Sequence, residues 1–216
     1  MMATADGATD PSIDCRLCPR LADFRDTWRC TEPGWFNGPV PSFGPVTARL
    51  LVVGLAPGLR GANRTGRPFT GDYAGDLLYE TLDRHGFSTG RYDARPDDGL
   101  ALIDCRIINA VRCVPPENKP TGDEIRNCRP FLARSIEAMP RLETIVALGK
   151  IAHDSVVTAL GARVSAVPFR HGGKARLGPV TLFGSYHCSR YNTNTGRLTP
   201  AMFNDVFAMA RAALSA

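Results

Sequence analysis

The stretch "ARLLVVGLAPGLRGANRTGRPFTG", residues 48–71, decides the fold of this chain. Residues 48–54 form a short apolar run that is typical of a strand buried on both faces of a sheet. The loop that follows is rich in glycine and arginine and contains no acidic residue. A mobile, positively charged loop behind a buried strand predicts a phosphate-bearing ligand, either a nucleotide cofactor or a nucleic-acid strand.

Apolar runs of the same kind recur at 100–111, 143–149 and 178–187. Apolar spacing and capping residues predict helices between and after them. The predicted helices lie near 74–85, 121–139, 150–161 and 199–214. Because strand and helix alternate, the sequence predicts the α/β class, with a mostly parallel sheet of about four strands covered by helices on both faces. Ligands of such sheets bind beyond the carboxyl ends of the strands.

The loop after the first strand does not complete a nucleotide-binding motif. Gly61 and Gly66 stand in the G-x4-G frame of a P-loop, but Arg67 and Pro68 follow where that motif needs Lys and Ser or Thr. Pro68 also lacks the backbone N–H that a phosphate cradle uses. The sequence therefore predicts no nucleotide cofactor and favours a nucleic-acid backbone. The arginines expected to contact its phosphates are Arg60, Arg64 and Arg67.

Four side chains at the same sheet edge have the chemistry to act on a nucleobase. The Phe69 ring can stack on a base, and the Asn109 amide can pair with a base edge. The Asp72 carboxylate can orient a water or stabilise a cationic sugar, and His187 can donate to a developing oxyanion. Each also has a structural interpretation: core packing, a turn cap, a helix N-cap and a loop histidine, respectively. Their position at one edge favours the functional interpretation.

Four of the seven cysteines form two distant pairs. Cys15 and Cys18 have C-x2-C spacing, whereas Cys113 and Cys128 flank the run "VPPENKPTGDEIRN". The two pairs can converge on one four-thiolate site, and the spacing allows either zinc or an iron–sulfur cluster. The remaining cysteines have no predicted role: Cys30, Cys105 and Cys188.

Basic residues outnumber acidic ones by 26 to 21, and nearly all of them are arginine, which grips phosphate well but is weak evidence by itself. No apolar run approaches the roughly 20 residues of a membrane span. The start, "MMATADGATD", has acidic residues where a secretion signal is basic. We therefore expect a cytoplasmic protein without membrane contact. We also expect a disordered tail over residues 1–12 and a single domain over 13–216.

Long motifs in the chain resemble the uracil-DNA glycosylase superfamily, in particular its family-5 (type B) branch, which carries an iron–sulfur cluster. The matching stretches are "CRLCPRL", "GLAPGLRGANRTGRPFTGDYAGDLL", "NAVRCVPPENKPTGDEIRNCRPFL" and "HCSRYNTNTGRLTP". The resemblance implies a three-layer α/β/α sandwich. It also implies a monofunctional glycosylase that flips uracil out of DNA, hydrolyses the N-glycosidic bond and leaves an abasic site for base-excision repair.

The resemblance further implies residue roles. Phe69 stacks on the flipped base, Asn109 faces its pairing edge and His187 lies near its carbonyl. Asp72 is the catalytic carboxylate, and Asn109 is expected to help it position the water, so the catalytic residues are Asp72, Asn109 and His187. The pocket is completed by the first motif, Ala56, Pro57 and Gly58, which lacks the polar side chain of other branches and so leaves room for hypoxanthine. The implied ligands of a structural [4Fe–4S] cluster are Cys15, Cys18, Cys113 and Cys128.

DNA contacts are expected from two further segments. Arg112 follows the second strand and is expected to bind phosphate, and the run after His187 supplies candidates to fill the gap left by the flipped nucleotide. Those candidates are Arg190, Tyr191 and Asn192. We expect a monomer that works on DNA of the nucleoid. Two alternatives stay open at this point: a non-catalytic, damage-sensing DNA-binding module of the same fold, and an iron–sulfur redox protein.

Overall fold

The computed structural model describes residues 9–214 of the chain. Its helices and strands follow in the order α1 (Pro19–Thr31), β1 (Leu50–Gly54), α2 (Ala62–Thr65), α3 (Tyr73–Arg84), β2 (Ser88–Thr89), β3 (Ala101–Leu102), β4 (Cys105–Asn109), α4 (Gly122–Glu137), β5 (Thr144–Leu148), α5 (Lys150–Ala159), β6 (Lys174–Leu177), β7 (Val180–Ser185), α6 (Arg190–Asn194) and α7 (Pro200–Ala213). None of the helices within this range is long and apolar enough to cross a membrane.

The central sheet has the strand order β4-β1-β5-β7-β6. The first four of these strands run parallel, and β6 pairs with β7 in the antiparallel sense. Gly54 lies opposite Asn109 in the parallel register, so β1 and β4 end side by side. The short strands β2 and β3 form a separate antiparallel pair.

Both faces of the sheet are buried, as the continuous apolar runs predict. In β1, Leu50 and Val52 pack into a core with α3 and α7, whereas Leu51 and Val53 pack into a second core with α4 and α5. Side chains of a strand alternate between faces, so an uninterrupted apolar strand needs a helical layer on each side. The predicted α/β/α sandwich is confirmed.

Two details of the predicted sheet are wrong. The structure adds a fifth strand, β6, whose sequence "KARL" is polar because one face is open to solvent. The predicted strand at 100–111 is divided into β3 and β4, because Asp104 turns the chain with a φ of 53° and binds Arg49 through its carboxylate.

The amino-terminal part of the described chain is held on the domain. Residues 1–8 of the expected tail lie outside the described residues. Asp10, which the same expectation includes, forms an ion pair with Arg112 at 2.8 Å and accepts a hydrogen bond from the Ser42 hydroxyl. Helix α1, which the sequence analysis missed, packs Leu21 against Phe131 of α4.

Candidate active site

A cavity of about 870 Å³ opens at the carboxyl edge of the sheet, where the sequence analysis placed the site. Its walls come from the β1–α2 loop, the start of α3, the end of β4, the start of α5 and the loop between β7 and α6. All seven predicted base-pocket and catalytic residues line it: Ala56, Pro57, Gly58, Phe69, Asp72, Asn109 and His187. Residues far apart in sequence meet there because parallel strands end at one edge.

Asn109 lines this cavity and contains a buried, unsatisfied acceptor. The side chain is 3% exposed, and its Oδ1 has no hydrogen-bond partner among the described residues. A Cβ at Gly54, the neighbour in register, would overlap Asn109 Oδ1 and lie 2.6 Å from Cζ of Phe69. Gly54 therefore leaves room for both side chains to pack against the end of β1. A buried, unpaired oxygen is costly, so its presence points to a ligand that supplies a donor.

The Phe69 ring forms a flat wall of the cavity. Its centroid lies 5.8 Å from that of the His187 ring, with an angle of 28° between the two planes. The Phe69 backbone has a φ of 53°, which an aromatic residue rarely adopts. The ring is therefore placed by the surrounding structure rather than by the local preference of the chain.

Asp72 both caps α3 and faces the cavity. Its Oδ1 accepts a hydrogen bond from the backbone N–H of Gly75 at 3.3 Å. Its Oδ2 lies beside Gly58 and Gly61, and a Cβ on Gly58 would be 2.9 Å from that oxygen. Burial raises the pKa of the carboxyl group above its usual 3.8, and the capping N–H groups oppose this effect. The N-cap and catalytic interpretations are thus compatible.

His187 follows β7 and is a neutral donor at physiological pH. Burial lowers the pKa of the imidazole from 6.5 to about 4. The backbone carbonyl of His187 accepts a hydrogen bond from the Asn192 side-chain amide at 2.8 Å, which fixes the chain as it enters α6. A neutral ring keeps one N–H, and no proton has to be gained before it donates.

The rim of the cavity is basic and aromatic. Arg60 and Arg190 line it, and the Arg190 guanidinium lies 5.3 Å from the centre of the Tyr73 ring. Arg64 is exposed on α2. Tyr191 is 72% exposed, which makes it the most exposed large apolar side chain among the described residues.

A second, much smaller cavity brings the two cysteine pairs together. Cys15, Cys18, Cys113 and Cys128 line it, with apolar neighbours that include Leu21 and Phe131. Burial raises the pKa of Cys113 to about 12 and that of Cys128 to about 11. Within residues 9–214, no group of three or more His, Cys, Asp or Glu side chains is arranged to hold a metal ion.

The buried guanidinium of Arg25 lies next to this cysteine cavity. The side chain is 1% exposed, and its Nη1 donates to the Cys15 carbonyl at 2.9 Å. Its Nη2 has no hydrogen-bond partner in the described part of the chain, and its Nε lies 3.7 Å from the Asp26 carboxylate. Arg25 also lowers the pKa of Cys113, against the larger effect of burial. The guanidinium therefore places a positive charge beside Cys15 and near Cys113.

The sequence of this chain matches the model of the uracil DNA glycosylase superfamily over residues 41–211. The chain belongs to the uracil-DNA glycosylase superfamily. A relative named type-5 uracil-DNA glycosylase, from Thermus thermophilus, is 46% identical over 205 residues, covering 91% of this chain and 92% of the relative. Relatives of the same name are 40% identical in Pyrobaculum aerophilum, covering 93% and 89%, and 43% identical in Mycobacterium leprae, covering 91% and 90%.

The structure corrects two of the DNA contacts that were expected of this superfamily member. Arg67 is 6% exposed and forms a two-pronged ion pair with the buried Asp98, at 2.8 and 2.7 Å. Arg112 is 1% exposed, pairs with Asp10 and donates to the Val40 carbonyl. Neither guanidinium can reach a DNA phosphate, because both are inside the domain.

Sequence reasoning also missed part of the candidate active-site cavity. Lys150 begins α5, two residues after the end of β5, so the same strand-end argument that found Asn109 could have found it. Tyr186 directly follows β7, so the same argument could have found it as well. The other missed polar and aromatic side chains come from irregular segments or helix starts, where no periodic pattern marks them. They are Tyr73, Asn118, Phe169, Ser189 and Arg197.

Proposed function

We propose that this protein is a monofunctional DNA glycosylase that removes uracil from DNA by hydrolysis of the N-glycosidic bond and leaves an abasic site for base-excision repair. The superfamily match and the relatives named uracil-DNA glycosylase support this activity. The observation that carries it is the convergence, in one cavity, of a flat ring, an unpaired amide oxygen, a carboxylate and a neutral imidazole.

Base recognition uses Asn109 and Phe69. The pairing edge of uracil has an N–H flanked by carbonyl oxygens, and the Asn109 amide offers one acceptor and a donor group to it. The free Oδ1 of Asn109 is the acceptor that the uracil N–H would satisfy. The Phe69 ring stacks on the flipped base, with Ala56, Pro57 and Gly58 closing the pocket.

Bond cleavage uses Asp72 and His187. As the bond between C1′ and the base breaks, its electron pair leaves on the base and positive charge develops on the sugar. The His187 N–H stabilises the anionic carbonyl oxygen of the base, and the Asp72 carboxylate stabilises the sugar and orients the water. The water oxygen bonds to C1′, and Asp72 accepts its proton. Burial makes Asp72 a better base than an exposed aspartate, because it raises the pKa.

DNA binding uses the exposed part of the rim. Arg60 and Arg64 contact phosphates, which both side chains can reach from the surface. Of the three candidates to fill the gap left by the flipped nucleotide, Arg190 lies over Tyr73 and Asn192 bonds the His187 carbonyl. Tyr191 is free to wedge into the DNA stack. Replacement of Tyr191 by Ala should slow uracil excision from duplex more than from single-stranded DNA.

The pocket is also expected to accept hypoxanthine. The segment from Gly54 to Gly58 carries no polar side chain, and the cavity of about 870 Å³ leaves space beyond a pyrimidine ring. If excess enzyme does not cleave duplex that contains hypoxanthine, this second substrate is wrong, whereas the proposed activity on uracil is unaffected.

The cysteine cavity is the proposed site of a structural [4Fe–4S] cluster. The four cysteines that line it are of the type that holds such clusters, and the positive charge of Arg25 beside Cys15 suits the negative charge of thiolate ligands. When bound, the cluster ties the segment before α1 to the loop between β4 and α4.

The remaining expectations extend this proposal. We propose that residues 13–216 work as one domain, as a monomer, on nucleoid DNA in the cytoplasm. Sedimentation of the protein alone and with one duplex checks the oligomeric state, and a sedimenting dimer would contradict it.

The experiment that tests the function uses end-labelled duplexes carrying uracil, hypoxanthine or thymine, treated with alkali after incubation with excess protein. Strand cleavage at uracil, and none at thymine, is the expected result. Tight, salt-sensitive binding without cleavage at any base would contradict the enzyme. It would indicate the non-catalytic damage-sensing module instead.

A further inference from the structure

The backbone conformation of Phe69 needs an explanation outside its own sequence. With a φ of 53°, Phe69 occupies the left-handed region that side chains with a Cβ rarely adopt. The neighbouring Gly71 has a φ of 86°, which glycine adopts readily. The contacts around residues 69–71 must therefore keep the strained residue in place.

Tyr92, in the loop between β2 and β3, makes two of these contacts with one atom. Its hydroxyl donates to the Phe69 carbonyl at 3.1 Å and accepts from the Gly71 N–H at 3.4 Å. The two bonds span Thr70 and so fix the peptide groups that follow Phe69. Tyr92 is absent from the wall of the cavity, so it can affect a base bound there only through the residues that it holds.

The Tyr92 ring is itself held firmly. It stacks on the Tyr79 ring with 4.4 Å between centroids, and the Arg67 guanidinium lies 5.8 Å from its centre. The Asp98 carboxylate pairs with Arg67 and accepts from the N–H of Asp93, next to Tyr92. Burial raises the pKa of Tyr92 to about 12, so the hydroxyl keeps its proton and remains a donor.

Gly75 of helix α3 packs directly against the hydrogen bond between Tyr92 and Phe69. A Cβ on Gly75 would overlap both the Phe69 carbonyl oxygen and the Tyr92 hydroxyl. The glycine in the first turn of the helix lets the carbonyl and the hydroxyl meet there. The same turn begins at Asp72, so the packing of Phe69 against Gly75 also places Phe69 close to the Asp72 carboxylate.

We propose that Tyr92 is a positioning residue for uracil excision: its hydroxyl holds the Phe69 backbone in the left-handed conformation and thereby orients the Phe69 ring in the cavity. This inference rests on the proposed role of Phe69 as the stacking surface for the flipped base. Without the hydroxyl, Phe69 can relax, and the base loses its fixed orientation relative to Asp72 and His187. Contacts with the DNA backbone do not depend on this bond.

A double-mutant cycle tests the inference in the full-length protein, with Tyr92→Phe, Phe69→Ala and the combined variant. Tyr92→Phe keeps the ring and its stacking and removes only the hydroxyl. The readouts are the single-turnover rate of uracil excision at saturating protein and the Kd for an undamaged duplex. We expect Tyr92→Phe to slow excision roughly tenfold in the wild type but less than about twofold in the Phe69→Ala protein. The Kd should stay unchanged.

Thr81→Val is the control. It removes another buried hydroxyl, which donates to the Leu77 carbonyl within α3 at 2.7 Å and lies outside the cavity. Because this bond involves no residue of the segment 68–71, we expect a change of less than about twofold in rate. Equal losses in Tyr92→Phe and Thr81→Val, or the same loss from Tyr92→Phe with and without the Phe69 ring, would show that the Tyr92 hydroxyl only stabilises the fold and would overturn the inference.

The cycle also separates this inference from its premise. If Phe69→Ala removes uracil at the wild-type rate, the stacking role of Phe69 is wrong and the inference falls with it. If Phe69→Ala is slow while Tyr92→Phe is as fast as the wild type, the stacking role stands and only the positioning role is overturned.

Discussion

Among single residues, Gly54 matters because it has no side chain. It ends β1 directly beside Asn109, and a Cβ there would overlap the Asn109 acceptor and approach the Phe69 ring. The glycine that ends the apolar run thus defines the pocket as much as the polar groups do. The sequence alone identifies Gly54 only as a strand end. It does not reveal the role in the pocket, because the side chains that a Cβ would overlap are distant along the chain.

Replacement of Gly54 by Ala should abolish most of the activity without unfolding the protein. The added methyl displaces the Asn109 amide or the Phe69 ring, and a shift of this size at a reacting centre costs about 100-fold in rate. Gly34→Ala is the control, since a Cβ there meets no atom within 4 Å. Single-turnover uracil excision and thermal unfolding measure the two effects. A wild-type rate in the Gly54→Ala protein would contradict the assigned pocket.

His187 should also make stability depend on pH. In the unfolded chain the imidazole binds a proton below pH 6.5, but in the folded protein only below about 4. Between these values the unfolded state binds more protons, so the free energy of unfolding falls as the pH drops. The slope from this one group is at most about 1.4 kcal/mol per pH unit, and partial solvation of the ring reduces it. Urea unfolding of His187→Gln between pH 4 and 6.5 should show a shallower decline than the wild type; equal slopes would contradict the buried, neutral ring.

Among the structural elements, the loop between β1 and α3 shows that composition alone does not predict which arginines can contact DNA. Arg60, Arg64 and Arg67 look equivalent in the sequence, yet the first two are exposed and the third is buried. The difference depends on Asp98, which lies 31 residues beyond Arg67. No pattern within the loop encodes that contact.

The loop arginines should therefore separate into two classes when each is replaced by Ala. Arg60→Ala and Arg64→Ala should each reduce the slope of log K against log salt by about 1, with unchanged thermal stability. Arg67→Ala should leave the salt slope unchanged but cost about 3–5 kcal/mol of stability, because it leaves the buried Asp98 carboxylate unpaired. Titration of labelled duplex at several salt concentrations, with urea unfolding, measures both; a reduced salt slope in Arg67→Ala would contradict its burial.

The regular elements were largely predictable because their signals are local. The buried strands β1, β5 and β7 and the capped helix α4 follow from apolar runs and from the Thr121–Glu124 capping box, which the structure contains. The edge strand β6 and helix α1 were missed, since half-exposed elements carry weaker apolar patterns. Site residues at strand ends were predictable for the same reason, whereas the orientation and partners of each side chain required the fold.

In the molecule as a whole, the cysteine cavity and the active-site cavity share one segment of chain. The loop between Cys113 and Cys128 carries Asn118 to the wall of the active-site cavity. Arg20 of α1 donates to the Lys119 carbonyl in that loop and pairs with Glu124. The proposed cluster would therefore stabilise the cavity wall from outside, without taking part in the chemistry.

Replacement of Arg25 by Met should weaken retention of the cluster. The apolar side chain keeps the packing but removes the positive charge and the hydrogen bond to the Cys15 carbonyl. Iron and sulfide content, with the visible absorption of anaerobically purified protein, should fall several-fold relative to the wild type. Cys30→Ser, which changes an exposed cysteine outside the cavity, should retain the wild-type content. Iron and sulfide content equal to that of the wild type in the Arg25→Met protein would contradict the proposed role of Arg25.

The measurement that tests the account most directly is the single-turnover rate of uracil release from duplex DNA by Asp72→Asn. Asp76→Asn, in the first turn of the same helix, is the matched control because that residue is exposed and outside the cavity. We expect Asp72→Asn to be about 10²- to 10⁴-fold slower than the wild type and Asp76→Asn to be unchanged. Release of uracil by Asp72→Asn at the wild-type rate would contradict the assignment of the catalytic carboxylate.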